Sequence, residues 1–305
     1  MTQWFLTSFY LFTPLRDPKT TKAEILARWE PEGIRALVIL SNEGLNGTIA
    51  APSAESRQQF QAWMTETFGT MEFKDSESTG KSPFRKFTIK LRPEIVTLGR
   101  PDLKPTGPHR HLSATEWEKA IESGAILLDT RNLYESKIGT FKGALIPPID
   151  RFEEFPAAVD QMNIPKDQQI LIFCTGGIRC EKAILAMEER GYQNVSQLDG
   201  GILKYFEDTK GDKWDGECFV FDYRVAVKKD LTPSERYTLC PLCGDPAEHP
   251  ATCVQCGTEK PLCEACAAEP APVCSKNCRY HHELTASGKR RKKHAPPNLQ
   301  ARKGV

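Results

Sequence analysis

The order of apolar and polar positions divides the chain into stretches of different texture. Residues 4–12 form a mostly apolar run that predicts a strand, and residues 22–29 have the spacing of a short helix. Residues 35–40 and 47–51 read as two strands around the turn-forming Ser41-Asn-Glu-Gly44, and residues 54–68 as a second helix introduced by Pro52 and Ser53. A last strand is predicted over residues 84–91, completing a β-α-β-β-α-β order that defines a ferredoxin-like α+β domain over residues 1–100. In that strand Phe87, Ile89 and Leu91 share one face, and Lys86, Thr88, Lys90 and Arg92 share the other. The polar side is a basic stripe, with Lys81, Arg85 and Arg100 close in sequence. Such a stripe is either an ordinary solvated sheet face or a track for a phosphate backbone.

Pro101, Pro105 and Pro108 mark a linker over residues 101–112, after which the pattern changes. Ser113-Ala-Thr-Glu116 has the spacing of a capping box that opens a helix at 116–122. Short apolar runs at 125–128, 143–146, 170–173 and 195–197 alternate with helical segments at 152–160, 181–190 and 202–206. Buried strands alternating with helices predict an α/β domain with a parallel sheet over residues 113–215, covered on both faces. Function is then expected at the carboxyl ends of the strands.

Composition narrows the class. Hydrophobic residues make up 39% and charged residues 27% of the 305, which suits packed domains rather than a disordered or collagen-like chain. No run approaches the roughly 18 apolar residues needed to span a bilayer. The apolar start has no Lys or Arg before it and is interrupted by Thr7, Ser8 and Thr13, unlike a secretory signal. A cytoplasmic protein without membrane contact is expected. Residues 279–305 carry eight Lys or Arg and one Glu, a net of +7 in a chain whose formal total is +1, so a basic tail follows a mildly acidic body. Eleven cysteines in a reducing compartment point to metal binding or chemistry rather than structural disulfides.

Cys174 directly follows the apolar run 170–173, and the loop Thr175, Gly176, Gly177, Ile178 and Arg179 separates it from Cys180, where the next helix begins. The two glycines permit a turned backbone whose N–H groups converge on the sulfur as an anion cradle. That cradle, the helix dipole and Arg179 are all expected to lower the thiol pKa, which makes Cys174 a candidate nucleophile. Cysteine phosphatases hold an oxyanion in a similar cradle but with Cys-x5-Arg spacing. Cys-x4-Arg here is one residue shorter and suits a small sulfur adduct better. Asp129 and Arg131 are expected to brace the loop. Cys180 either resolves an oxidised Cys174 or packs in the first helical turn, and Cys218 reads as core.

This segment resembles a rhodanese domain, through Asp129-Thr-Arg131, the loop from Cys174 to Arg179, and Leu198-Asp-Gly-Gly-Ile202. The resemblance implies a persulfide-forming cysteine, although Gly139-Thr-Phe-Lys-Gly-Ala144 lacks the histidine familiar in such domains. A longer pattern joins Glu43-Gly-Leu-Asn-Gly-Thr48, Cys174-Thr-Gly-Gly-Ile-Arg-Cys-Glu-Lys182 and Gly216-Glu-Cys-Phe-Val-Phe-Asp222. Together these are similar to the tRNA uridine-34 hydroxylase family. That resemblance implies oxygen-dependent conversion of the wobble uridine to 5-hydroxyuridine, with molecular oxygen as co-substrate, the tRNA anticodon loop as partner and Cys174 as the essential thiol. Two chemical routes fit: thiolate addition to C6, making C5 enolate-like, or an oxygen species carried on the sulfur. The alternatives are a sulfurtransferase that passes persulfide sulfur to an acceptor, and a nonenzymatic zinc-dependent RNA-binding protein. No nucleotide cofactor motif is visible.

Residues 216–282 form a Cys-rich region. Cys240 and Cys243, Cys253 and Cys256, Cys263 and Cys266, and Cys274 and Cys278 are four close pairs, each suited to one side of a tetrahedral thiophilic metal. Eight thiolates predict up to two structural zinc ions. Residues 283–305 read as a flexible basic tail in which Lys289, Arg290, Arg291, Lys292 and Lys293 are candidates for phosphate contact.

Overall fold

β1 (Gln3–Phe12), β2 (Arg35–Ser41), β3 (Gly44–Ala51), β4 (Phe73–Thr79) and β5 (Phe87–Leu91) form a five-stranded sheet in the order β4-β1-β3-β2-β5. α1 (Pro18–Trp29) and α2 (Ala54–Phe68) cover one face. α1 begins where the Asp17 carboxylate accepts from the backbone N–H groups of Lys19 and Thr20, and α2 where the Ser53 hydroxyl accepts from Ser56 N–H. Ile25, Trp29, Phe60 and Met64 of these helices pack on Phe9, Val38, Ile49 and Phe87 of the sheet. This computed structural model describes residues 2–105 and 109–287. Pro108 of the expected linker and the basic run from Lys289 to Lys293 lie outside the described residues.

One strand was expected after α2, and the fold has two. β4 completes the ferredoxin-like order by pairing with β1, whereas β5 runs parallel to β2 on the opposite edge. β4 reads Phe-Lys-Asp-Ser-Glu-Ser-Thr and has no apolar alternation. As an edge strand it is held largely by backbone pairing on one side, so its side chains carry little hydrophobic signal.

The next stretch is built from β6 (His111–Leu112), α3 (Ala114–Glu122), β7 (Ile126–Asp129), α4 (Leu133–Ser136), β8 (Gly139–Phe141), α5 (Phe155–Gln161), β9 (Ile170–Phe173), α6 (Ile178–Glu188), β10 (Val195–Leu198) and α7 (Gly201–Asp208). β6, β10, β9 and β7 make a parallel sheet in that order. α3 has the expected capping box, with Ser113 and Glu116 each accepting from the other's backbone N–H. Of the expected strand at 143–146, Leu145 alone bridges to Leu128. Alternate residues of β9 enter different cores: Ile170 and Ile172 join Val159 and Ile184, while Leu171 and Phe173 join Trp117 and Phe206. Both faces are thus buried, as continuous apolar strands require.

The chain divides into compact units at 237/238. Residues 216–237 pack with the first unit: β11 (Trp214–Gly216) pairs with β8, β12 (Cys218–Phe219) with β13 (Ala226–Val227), and Cys218 is fully buried in the core beside Phe173 and Trp214. The second unit contains two hairpins, β14 (Thr238–Leu239) with β15 (Pro246–Ala247) and β16 (His249–Thr252) with β17 (Glu259–Leu262), followed by α8 (Glu264–Ala267) and α9 (Lys276–Ala286). Its small core is made of Leu242, Ala247, Leu262, Val273 and cysteines, so cross-linking by metal has much to add. Among the described residues no helix is long and apolar enough to cross a membrane.

Candidate active site and metal clusters

The end of β9 delivers Cys174 into the loop that enters α6. Gly177 N–H donates to Cys174 Sγ at 3.1 Å, and Gly177 itself adopts φ +95° as the residue before α6. A Cβ there would lie 3.0 Å from the Tyr10 hydroxyl. The Leu198-Asp-Gly-Gly-Ile202 turn supports the loop from behind: Ile202 and Leu203 N–H groups donate to the carbonyls of Cys174 and Thr175. A Cβ on Gly201 would come within 2.6 Å of the Cys174 carbonyl oxygen, so only glycine allows this approach.

Cys174 is 1% exposed. Burial alone would raise its pKa, but a hydrogen bond from the Cys180 thiol, the Arg179 guanidinium and the backbone N–H groups of Arg179 and Cys180 bring it down to about 6. Cys180 moves the opposite way: burial and the neighbouring Cys174 sulfur raise it well above the ordinary thiol value. The two sulfurs are thus driven in opposite directions, Cys174 toward the thiolate and Cys180 toward the thiol. Arg179 acts through its charge, because the Glu135 carboxylate accepts from both its terminal nitrogens at 2.6 and 2.7 Å. Asp129 and Arg131 are both fully buried and paired with each other. Arg131 donates three times to Asp129, twice from its guanidinium and once from its backbone N–H, and once to the Gly139 carbonyl, and Ser136 and Thr140 donate to Asp129. Thr130, between them, donates to the Phe173 carbonyl at the end of β9 and lies 3.8 Å from Cys180 Sγ.

A cleft of about 530 Å³ opens over Cys174, within the range of small-ligand sites. Its opposite wall is the helix-free face of the ferredoxin-like sheet, through Ser8, Tyr10, Leu37, Ile39, Asn46 and Thr48. The two walls are locked by charge. Lys182 of α6 is fully buried and reaches Glu43 at 2.8 Å and Glu94 at 2.6 Å. Glu43 also accepts from Ile95 N–H, and Asn46 donates to the Ile95 carbonyl. Asp222 pairs with Arg224, which donates to Ser76 of β4. Tyr10 donates to Glu181 of α6 at 3.0 Å, and burial, with this carboxylate beside it, pushes the phenol pKa up. Glu135, Tyr10 and Lys182 were not singled out from sequence as site residues. The only signal for Lys182 and Glu43 was their place within the longer motifs.

Lys86, Lys90 and Arg92 are exposed. Lys90 is in register with Ile39 and so stands beside it on the cleft-facing side of the sheet. In the second unit the four cysteine pairs interleave: Cys240 and Cys243 converge with Cys263 and Cys266, and Cys253 and Cys256 with Cys274 and Cys278, all sulfurs of each group within 4.8 Å. Sulfur separations of 3.4 to 3.9 Å within each group of four approach the edge of about 3.8 Å that a tetrahedron of 2.3 Å zinc–sulfur bonds requires. These clusters fit a thiophilic metal such as zinc.

A depressed thiolate on a rhodanese-type loop, facing a ferredoxin-like sheet across a ligand-sized cleft, defines a cysteine-dependent enzyme of composite build. Residues 4–95 match the UPF0176 acylphosphatase like domain, residues 113–208 the rhodanese-like domain, and residues 215–279 the rhodanase C-terminal family. The chain is 46% identical over 307 residues to the tRNA uridine(34) hydroxylase of Bdellovibrio bacteriovorus, covering 98% of this chain and 87% of that protein. It is 40% identical over 245 residues to that of Deinococcus radiodurans, covering 79% and 81%, and 40% over 268 residues to that of Acinetobacter baumannii strain AYE, covering 83% and 84%. The chain belongs to the tRNA uridine(34) hydroxylase family.

Proposed function

We propose that this protein hydroxylates C5 of the wobble uridine of tRNA in the cytoplasm, with molecular oxygen as co-substrate and Cys174 as the catalytic thiolate. The carrying observation is the depressed thiol of Cys174 at the floor of the cleft formed with the ferredoxin-like sheet. Thiolate addition to C6 of uracil makes C5 nucleophilic; C5 then gains one atom of molecular oxygen as hydroxyl, while the other atom leaves as water with two electrons and, net, two protons from an external two-electron donor. Loss of the C5 proton with cleavage of the C6–S bond restores the double bond and the thiolate. Gly177 N–H and the Arg179 charge stabilise the sulfur anion before attack and after release. Anticodon-loop bases are single-stranded, so the uridine can leave its stack to enter the cleft.

Lys86, Lys90 and Arg92 provide phosphate contacts beside the cleft, and the basic tail adds affinity without selectivity. The two tetrathiolate clusters each hold one structural zinc ion. In cells expressing only Cys174→Ser, 5-hydroxyuridine should vanish from the tRNA nucleosides measured by mass spectrometry while the purified variant stays folded, with a cooperative thermal transition. Near-normal 5-hydroxyuridine would refute the assignment, and selective loss of thiolated nucleosides would establish sulfur transfer instead.

A further inference from the structure

After the parallel sheet the chain leaves two large aromatic rings in solvent: Phe221 is 55% and Tyr223 48% exposed. They lie outside every hydrophobic cluster of the fold, yet they are not loose. Phe219 meets the Phe221 ring edge-on, centroids 4.9 Å apart at 88°. The Arg179 guanidinium carbon lies 5.7 Å from the centroid of Phe221 and is itself clamped by Glu135. Tyr223 is tied by its N–H to the Pro83 carbonyl, with Lys81 Nζ 5.2 Å from its ring centroid. The backbone between them is pinned by the Asp222–Arg224 pair.

Fixed, solvent-facing rings backed by cations are what an unstacked nucleobase of a single strand binds. An apolar protein partner would gain nothing from the cations of Arg179 and Lys81. Phe221 also lines the cleft that Cys174 floors. Cys174 is almost fully buried and Phe221 more than half exposed, so one is deep and the other at the lip. We propose that Phe221 is the stacking platform for the anticodon-loop base next to the uridine inserted into the cleft, replacing the stacking that this neighbour loses when the uridine is extruded. The assignment rests on the tRNA substrate proposed above.

The test uses the full chain and an anticodon stem-loop RNA carrying 2-aminopurine on either side of the target uridine in turn. Binding of the wild type should quench the fluorescence at one of the two positions. Phe221→Ala and Phe221→Leu should remove that quench and weaken binding by about 5- to 100-fold, whereas Phe221→Trp should retain both. Thermal midpoints equal to wild type exclude a folding defect. No quench with bound wild-type protein, or wild-type quench and affinity in Phe221→Leu, would overturn the platform. The proposed reaction fails separately, if wild-type protein in cells forms no 5-hydroxyuridine. Loss of that product in Cys174→Ser together with an intact quench keeps both assignments.

Discussion

Replacing Lys182 by Met removes one charge while nearly keeping the length of the side chain, and it isolates the lock between α6 and the ferredoxin-like domain. Lys182 Nζ sits 2.8 Å from Glu43 and 2.6 Å from Glu94, and all three side chains are buried. The variant leaves two carboxylates facing a neutral chain with almost no water to screen them. Backbone donors remain to Glu43 from Ile95 and to Glu94 from Leu98 and Gly99, so both groups stay hydrogen-bonded but lose their counter-charge. Breaking a buried pair in this way costs about 3–5 kcal/mol. For a body of this size each kcal/mol moves the midpoint by roughly 2–4 °C, so a fall of about 6–20 °C is expected. Thermal unfolding of the full chain followed by calorimetry at neutral pH measures it. Adding Glu94→Gln to Lys182→Met should return part of the loss, because one uncompensated charge disappears, while Glu94→Gln alone should be destabilising. A loss below about 1 kcal/mol in Lys182→Met would mean that the triad behaves like a solvated surface bridge, and the lock would be refuted.

The remaining predictions concern the site, the metal and the RNA surface. Alkylation of Cys174 by iodoacetamide should rise with a midpoint near pH 6, and a midpoint in the ordinary thiol range near 9 would show that burial outweighs the donors around it. Because this folded-state value is depressed, its stabilisation is full above the ordinary thiol value and lost as pH falls through about 6, so Cys174→Ser should cost more stability above that window than below it. Elemental analysis of protein purified without chelator should find about two zinc equivalents, falling to about one in Cys256→Ser; unchanged content would refute the interleaved clusters. Neutralising Lys86, Lys90 and Arg92 should flatten the log–log salt dependence of tRNA binding by roughly 0.7–0.9 per lost phosphate contact and reduce turnover, and neutralising the five residues from Lys289 to Lys293 should flatten the slope with a smaller effect on turnover. An unchanged slope would make the corresponding region ordinary solvated surface.

Where local chemistry determines local structure, the sequence could be read directly. The Ser113–Glu116 capping box is present with both bonds, the apolar run 170–173 is a strand buried on both faces, and Gly177 after Cys174 takes the left-handed turn that glycine permits. Alternation over residues 86–90 separates buried Phe87 and Ile89 from exposed Lys86 and Lys90. What escaped was decided by partners distant in the chain. β4 is a strand because β1 offers it an edge, and its polar residues do not reveal that. The four cysteine pairs are visible in sequence, but pairing first with third and second with fourth follows from the path of the hairpins. Glu135 carries no local mark of its role. It matters because α4 brings its carboxylate to Arg179, forty-four residues later.

The three motifs that run through the chain carry their meaning at one joint. The turn residue Glu43 belongs to the ferredoxin-like half and Lys182 to the helix that starts at the cysteine loop, and each is half of the same buried ion pair. Asp222, from the third motif, holds Arg224 against Ser76 of β4 and fixes the segment that presents Phe221. These residues act on the cleft rather than on the Cys174 sulfur, and the cleft exists only where the helix-free sheet face, with Tyr10, Ile39 and Thr48, stands opposite the loop. The rhodanese-type loop alone supplies a thiolate, which suits sulfur chemistry as well as oxygen chemistry. The docked sheet contributes what the loop lacks, an opposite wall of mixed polar and apolar side chains with the exposed Lys90 on the same face. That enclosure gives residues far from the cysteine, Glu43 and Asp222 among them, a part in building the site.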